Sequence, residues 1–308
     1  VERLRRSVRC KKLMWGNLVP RNFGRVRYYD PETGSLEDLR AALAPAKRSP
    51  GISGFMRVRN EEEFIEDVVE SVVGALDELV IVMNRCEDNT PQIVRACARR
   101  YGDKIRAFLY EPHVHCAGST KHQTLPADSP YSLVNYYNFT LAKTTRRFAT
   151  KIDGDMIFVA NAFQDAADRV RRGDLKTPIG LQGVNLWDDD GAVYVNGAKP
   201  LVSGIDFGFF AVTPRTFFRR HPRFEIFTYP FEKTLGLLFY HVKGLKQDRG
   251  AGNYDLAINP ESLAWASMKR VYSDPALMTW EEFCRAEPAA ASLPSPESLG
   301  IRPRRHRG

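Results

Sequence analysis

The stretch GISGFMRVRNEEEFIEDVVESVVGALDELVIVMN (Gly51–Asn84) decides the fold. Gly51–Val58 is a continuous apolar run of strand length, and Glu78–Asn84 is another. Between them Phe64, Val68, Val69, Val72 and Val73 recur at helical spacing. Asn60, with acids behind it, is expected to cap that helix, which runs to Leu76. Strands without polar alternation are buried on both faces, the signature of a parallel sheet covered by helices.

The pattern continues outward. Asn89 or Thr90 caps a Pro-initiated helix that stops at Gly102, and Lys104–Glu111 reads as a third strand. A helix over Tyr131–Thr145 leads into RFATKI, a fourth strand that ends in Asp153-Gly154-Asp155. The expected class is therefore α/β, with a mostly parallel central sheet flanked by helices. Ligands of such sheets bind beyond the strand C-terminal ends. Arg59–Glu61, Asn84–Asp88, Glu111–His115 and the Asp-Gly-Asp turn should then share one edge.

The second half differs. Residues 177–214 are rich in Gly, aromatic and β-branched residues and read as a β-rich addition ending in a strand, Ile205–Val212. Helices are expected at TPRTFFRRHP and over Tyr229–Lys246, with a shorter one near 35–44. Beyond about 285 the chain is rich in Pro, Ser and Arg and is expected to be extended or disordered. The expected organisation is a basic extension (1–50), a first α/β half (51–160), a second half of the same domain (161–285) and a tail (286–308).

Composition narrows the classes. The chain has 308 residues, 43% of them hydrophobic and 27% charged, with no run near the ~18–20 apolar residues of a membrane span. The net charge is +8, but residues 1–30 hold nine Lys/Arg against two acids and residues 302–308 hold four Arg. The body between them is therefore mildly acidic, at −3. Basic ends suit an anionic surface, such as the inner face of a membrane, while the acidic body argues against nucleic acid. The five cysteines are irregularly spaced, which points to free thiols in a reducing, cytoplasmic setting.

Two carboxylates flanking a glycine at a strand end suit a hard divalent cation, Mg²⁺ or Mn²⁺, although most such tripeptides are plain turns. The glycine would let a diphosphate approach the backbone. His113 and His115 alternate along an extended segment and could chelate zinc, but no third ligand is near in sequence. Arg57, Arg59 and Lys143 are candidate phosphate or base contacts, or surface cations. Trp187, beside Asp188–Asp190, could stack on a sugar or cover the core edge.

Several segments resemble the GT-A glycosyltransferases, and within them the large inverting group around family 2. RNEEEFIEDVVESV resembles the first-strand signature of that family. VIVMNRCEDNT resembles its second strand and the acidic loop that holds the nucleotide. NFTLAKTTRRFATKIDGD is similar to its helix–strand–Asp-x-Asp segment, with Asn138 fifteen residues before Asp153. SGIDFGFFAVTPRTF resembles the acceptor-side strand, and FEIFTYPFEK the stretch with the catalytic carboxylate. Together these cover about residues 52–246.

The resemblance implies a GT-A (Rossmann-like) fold with a β-rich acceptor-side addition, and transfer of a sugar from a nucleoside-diphosphate sugar to a glycan, lipid-linked or other glycoconjugate acceptor. It implies Arg57, Asn60, Glu61, Asn84, Asp88, Asn138, Lys143 and Asp153 as donor contacts, Asp153 and Asp155 as metal ligands, and His241 as a third ligand or a phosphate contact, against the plainer reading of His241 as a structural histidine at a helix end. Glu232 is implied as the base, with Glu225 and Asp206 as substitutes. Two departures stand out. Asn84-Arg85-Cys86 replaces the usual acidic pair, so that Asp88 would take its role, and Lys233 follows Glu232 where a second acid is usual. A sugar nucleotidyltransferase should carry a Gly-rich basic loop where this chain has RVRNEEE. A metal-dependent hydrolase would gather His113, His115, Asp153 and Asp155 into one cluster.

Overall fold

The computed structural model describes residues 26–173, 175, 177–231, 233–251 and 259–304. Residues 1–25 of the basic N-terminal extension, Cys10 among them, Glu232 and the Asp206 side chain lie outside the described residues. The first elements are a hairpin, β1 (Arg27–Asp30) and β2 (Ser35–Asp38), and a single turn, α1 (Leu39–Ala42). The α/β core follows: β3 (Ser49–Val58), α2 (Ile65–Val73), β4 (Glu78–Met83), α3 (Thr90–Tyr101) and β5 (Ile105–Leu109). A short helix α4 (Thr120–Thr124) and α5 (Leu133–Ala142) lead to β6 (Arg146–Ile152). β3 pairs in parallel with both β4 and β6, and β4 with β5.

Side-chain alternation explains why β4 is apolar throughout. Leu79, Ile81 and Met83 enter one hydrophobic core, whereas Val80 and Val82 enter the other. The first core is closed by Val68, Val69 and Val72 of α2, and the second by Tyr136 and Phe139 of α5. The parallel half expected from the sequence is present, with helices on both faces.

The second half contributes β7 (Met156–Phe158), α6 (Ala160–Arg172), β8 (Ile179–Asp189), β9 (Ala192–Asn196) and β10 (Leu201–Ala211). A hairpin of β11 (Phe218–Arg220) and β12 (Glu225–Phe227) precedes β13 (Lys233–Gly244), α7 (Leu263–Ser273), β14 (Leu277–Met278) and α8 (Trp280–Ala286). β10 joins β8 to β6, both antiparallel, so the two halves of the chain share one sheet of order β14-β9-β8-β10-β6-β3-β4-β5. β13 lies parallel to β8 and antiparallel to β7.

Four expectations are corrected. Tyr229–Lys246 does not form a helix. Its apolar run forms β13, where Gly236 takes a positive φ and Phe239 pairs with both Phe158 and Gly183. A short apolar run carries no period of its own, and sheet partners on both sides settle it. TPRTFFRRHP forms a turn closed by Thr213 and Thr216 and then β11. Asn60 is not a helix cap; it sits at φ +56, and α2 begins at Ile65. Thr90 Oγ1 takes the Glu61 N–H and Asp88 takes the Glu62 N–H, so tertiary partners satisfy donors that a helix capped at Asn60 would have left without an intrahelical acceptor. The tail beyond 285 is packed as far as 304: Ala290 and Ile301 are buried, and the Tyr240 hydroxyl donates to the Pro294 carbonyl. Among the described residues no helix is long and apolar enough to cross a membrane, and the four described cysteines are free.

Packing between β8 and β13 is tight. A Cβ on Gly183 would lie 2.4 Å from the buried Phe239 ring. Gly183→Ala is expected to cost about 1–3 kcal/mol in urea unfolding. Gly74→Ala, where a Cβ meets open space at ordinary helical φ, should stay within about 0.5 kcal/mol of the parent.

Candidate active site

The C-terminal ends of β3, β4 and β6 open into a cleft of about 300 Å³. β3 supplies Arg57 and leads to Arg59, β4 leads to Asn84, and β6 supplies Lys151 and leads to the Asp153–Asp155 turn. Glu225 of β12 and His241 and Lys243 of β13 close the other wall. Residues some 190 positions apart thus meet at one edge.

The two aspartates differ. Asp153 is partly exposed and its Oδ2 accepts from Lys151 Nζ at 2.9 Å, with Arg57 at 4.0 Å. Asp155 is buried, and its Oδ1 lies 3.4 Å from His241 Nε2. Burial drives the Asp155 carboxyl up, but His241, Lys243 and Lys246 outweigh it and hold it well below the usual carboxylate range.

The His241 ring is oriented by Asn185. Asn185 Nδ2 donates to the Lys199 carbonyl at 2.8 Å, so its Oδ1 is the atom left to face His241 Nδ1 at 2.7 Å. An amide oxygen only accepts, so Nδ1 carries the hydrogen. Nε2 then meets the Asp155 carboxylate as a donor in the imidazolium, the form that holds the Asp155 carboxyl low, and as a lone pair in the neutral ring. In the neutral ring the two electron-pair donors suit a cation bound by both. One carboxylate and one imidazole leave most positions open for water or phosphate oxygens, as Mg²⁺ and Mn²⁺ sites commonly do. Among the described residues no group of three or more His, Cys, Asp or Glu side chains converges to hold a metal, either here or at His113 and His115. Those two rings pack edge to face, 5.1 Å apart.

Beneath the turn lies a buried ion pair. Glu61 Oε2 accepts from Lys246 Nζ at 3.0 Å, both groups being nearly inaccessible. A Cβ on Gly154 would fall 2.7 Å from Glu61 Cγ. The glycine therefore makes room for Glu61 under the turn. Burial pushes the Glu61 carboxyl up to about 7, with Lys246 opposing and Asp155 adding to the rise.

Arg57 lies flat on the Tyr137 ring, 3.2 Å from its centroid, and near Tyr136, whose hydroxyl donates to the Val82 carbonyl at 2.6 Å. Burial works against its charge, but Tyr137, Asp153 and Glu225 more than compensate and raise its pKa. Asn84 is fixed by donating to the Tyr110 and Pro112 carbonyls at 2.6 and 2.8 Å.

No protein-family model matches the chain, and no curated protein does. Some solved structures are similar. Glucosyl-3-phosphoglycerate synthase from Mycobacterium tuberculosis, in complex with Mn²⁺, UDP and phosphoglyceric acid, matches over 48% of this chain and 46% of its own, at 20% identity and a TM-score of 0.29. The same protein with Mg²⁺ and UDP matches over 48% and 46%, at 21% identity and a TM-score of 0.30. The match therefore spans about half the length of those chains. Likeness at that level speaks to neither substrate nor chemistry.

Of the candidates read from the sequence, the cleft gathers Arg57, Arg59, Glu61, Asn84, His115, Asp153, Asp155, His241 and the substitute Glu225. Asn60, Asp88, Asn138, Lys143 and Trp187 are engaged elsewhere. Asn60 Oδ1 accepts from Glu87 N at 2.8 Å, and Asp88 accepts from Glu62 N and Thr90 N at 3.0 Å each. Asn138 exchanges two hydrogen bonds with the Phe218 backbone, which ties α5 to β11. Lys143 pairs with Asp30 and Glu32 of the first hairpin. Trp187 is buried beneath Arg249, 4.9 Å from its ring centroid, and covers the core edge. Sequence reasoning missed Lys151 and Asn185. The first was accessible, because residues i and i+2 of a strand share a face; the second carried no local signal.

The Glu61–Lys246 pair has a measurable pH signature. Lys246→Met leaves a buried carboxyl without its counter-ion, and its folded pKa should rise further. The folded state then holds that proton more tightly than the unfolded chain, whose Glu ionises near 4.5. Raising the pH above 4.5 therefore draws protein to the unfolded state. The variant is expected to lose about 3–5 kcal/mol at pH 8 and much less at pH 5, as read by denaturant unfolding at the two values.

Proposed function

We propose that this chain is a metal-dependent glycosyltransferase of GT-A type that moves a sugar from a nucleoside-diphosphate sugar to a hydroxyl acceptor, with inversion. The observation that carries this reading is the facing of Asp155 Oδ1 and His241 Nε2 across 3.4 Å at the open ends of parallel strands. A cation seat in a cleft also lined by Arg57, Lys151 and Lys243 suits a diphosphate. Mn²⁺ or Mg²⁺ bound by Asp155 and His241, with Asp153 beside it, would neutralise charge on the departing nucleoside diphosphate.

The chain's own residues do the rest. Asn84 and the Arg57–Tyr137 stack form the donor wall. Glu225, buried in the opposite wall, is positioned as the base. Its carboxylate takes the acceptor hydroxyl proton as that oxygen bonds to the anomeric carbon. The bond from that carbon to the phosphate oxygen breaks, and its electron pair leaves with the diphosphate. The acceptor is a glycan, lipid-linked or other glycoconjugate hydroxyl, and the basic ends of the chain favour one held near an anionic surface.

A panel of nucleotide sugars with Mn²⁺ or Mg²⁺, scored for release of nucleoside diphosphate, tests this. One donor should turn over, chelator should stop it, and Asp155→Ala should lower it by at least about 100-fold. Binding of no nucleotide sugar, or full activity in the variant, overturns the assignment. Asn185→Ala, which frees the His241 ring, should weaken apparent metal affinity by about 10–100-fold with little change in unfolding midpoint.

A further inference from the structure

The wall that carries Glu225 holds a second titratable group that the chemistry above does not use. His122, in α4, is 2% exposed, and Glu225 is 3% exposed. His122 Nε2 lies 2.9 Å from the His221 carbonyl oxygen, and its Nδ1 lies 3.3 Å from Glu225 Oε1. A carbonyl oxygen only accepts, so Nε2 must carry a hydrogen. In the neutral ring Nδ1 is then a lone pair 3.3 Å from a carboxyl oxygen.

That arrangement admits one comfortable state. Without a further proton, a lone pair and a carboxylate face each other in a dry wall. With one proton between them, either as imidazolium and carboxylate or as imidazole and carboxylic acid, both atoms are satisfied and the pair is neutral overall. With two, an uncompensated positive charge is buried close to Arg57.

We infer that His122 and Glu225 hold a single proton in common, and that His122 is the positioning residue that makes Glu225 the proton acceptor of the cleft. The use of the pair rests on the transferase assignment; its existence does not. The empty pair is the reactive form. It takes the acceptor proton onto Oε1 and shares it with Nδ1, so the proton affinity belongs to the pair rather than to either group. The loaded pair cannot act as a base, so turnover rises with pH through the pair's apparent pKa.

Charged and titratable groups from each neighbouring element act on this equilibrium. Arg57 of β3, stacked on Tyr137 of α5, favours the carboxylate. Burial disfavours the His122 imidazolium, the hydrogen bond to the His221 carbonyl favours it, and the charges of Arg220 and His221, at the end of β11, disfavour it. The hairpin turn between β11 and β12 is closed by His221 N donating to the Phe224 carbonyl at 2.8 Å. His122 at the His221 carbonyl and Arg220 donating to the Leu125 carbonyl tie α4 to the hairpin.

The test reads the ring nitrogens of His122 by ¹⁵N NMR in the full chain, assigned by their loss in His122→Gln. Glu225→Gln keeps the shape and removes the shared proton. In that variant, with the parent's circular dichroism and melting profile, the Nδ1 transition is expected to move down by about one pH unit or more. An unchanged midpoint overturns the pair, and this readout needs no turnover. A second readout is the pH dependence of nucleoside diphosphate release. Folded His122→Gln should shift the acid limb to lower pH by about one unit or more, because Glu225 beside Arg57 then ionises alone. An unmoved limb overturns the catalytic use of the pair. If the parent releases no nucleoside diphosphate from any donor, the transferase assignment fails, and the NMR titration still decides the pair.

Discussion

The buried pair of Glu61 and Lys246 is the joint on which the site depends. Glu61 follows the first strand of the parallel half, and Lys246 follows the long strand β13 of the second half. Over Glu61 sits Gly154, whose lack of a side chain lets Glu61 lie under the Asp-Gly-Asp turn. A buried ion pair contributes little net stability, because desolvation offsets the attraction. Register between the turn that carries Asp155 and the strand that carries His241 comes from the backbone, where His241 pairs with Met156 and Val242 N donates to the Asp155 carbonyl, and the ion pair packs beneath that junction.

Around that joint the cleft balances charge closely. Lys151, Arg57, Lys243 and Lys246 stand against Asp153, Asp155 and Glu61. The balance keeps Asp155 ionised although burial opposes it. A buried ionised carboxylate facing an oriented imidazole costs folding free energy unless something answers its charge. That is why such a group is a better pointer to binding than to architecture.

The parallel half was legible because its signals are local and redundant. β4 is apolar at every interior position, and α2 keeps its stripe of valines, so period and length agreed. The Asp-Gly-Asp turn could be placed at a strand end for the same reason. The second half was less legible. KTLGLLFYHVKG fits a helix or a strand by pattern, and only its neighbours β7 and β8 select the strand. The site was legible in part for similar reasons. Asn138 and Lys143 carry suitable chemistry, but contacts with Phe218, Asp30 and Glu32 occupy them. Spacing along a chain does not say which partner a polar side chain will meet.

By itself the sequence determined the α/β class, the parallel strand order's apolar code and the edge at which chemistry-bearing residues would gather. Those features follow from side-chain periodicity and turn chemistry over a few residues, which is information each segment carries alone. Tertiary structure decided the rest. His241 reaches Asp155 only because its segment pairs as a strand, Asn185 sets the ring from 56 positions away, and His122 meets Glu225 only because α4 docks on a hairpin. These are pairings between distant segments, selected by burial and hydrogen-bond satisfaction across the whole chain, and no local pattern encodes them.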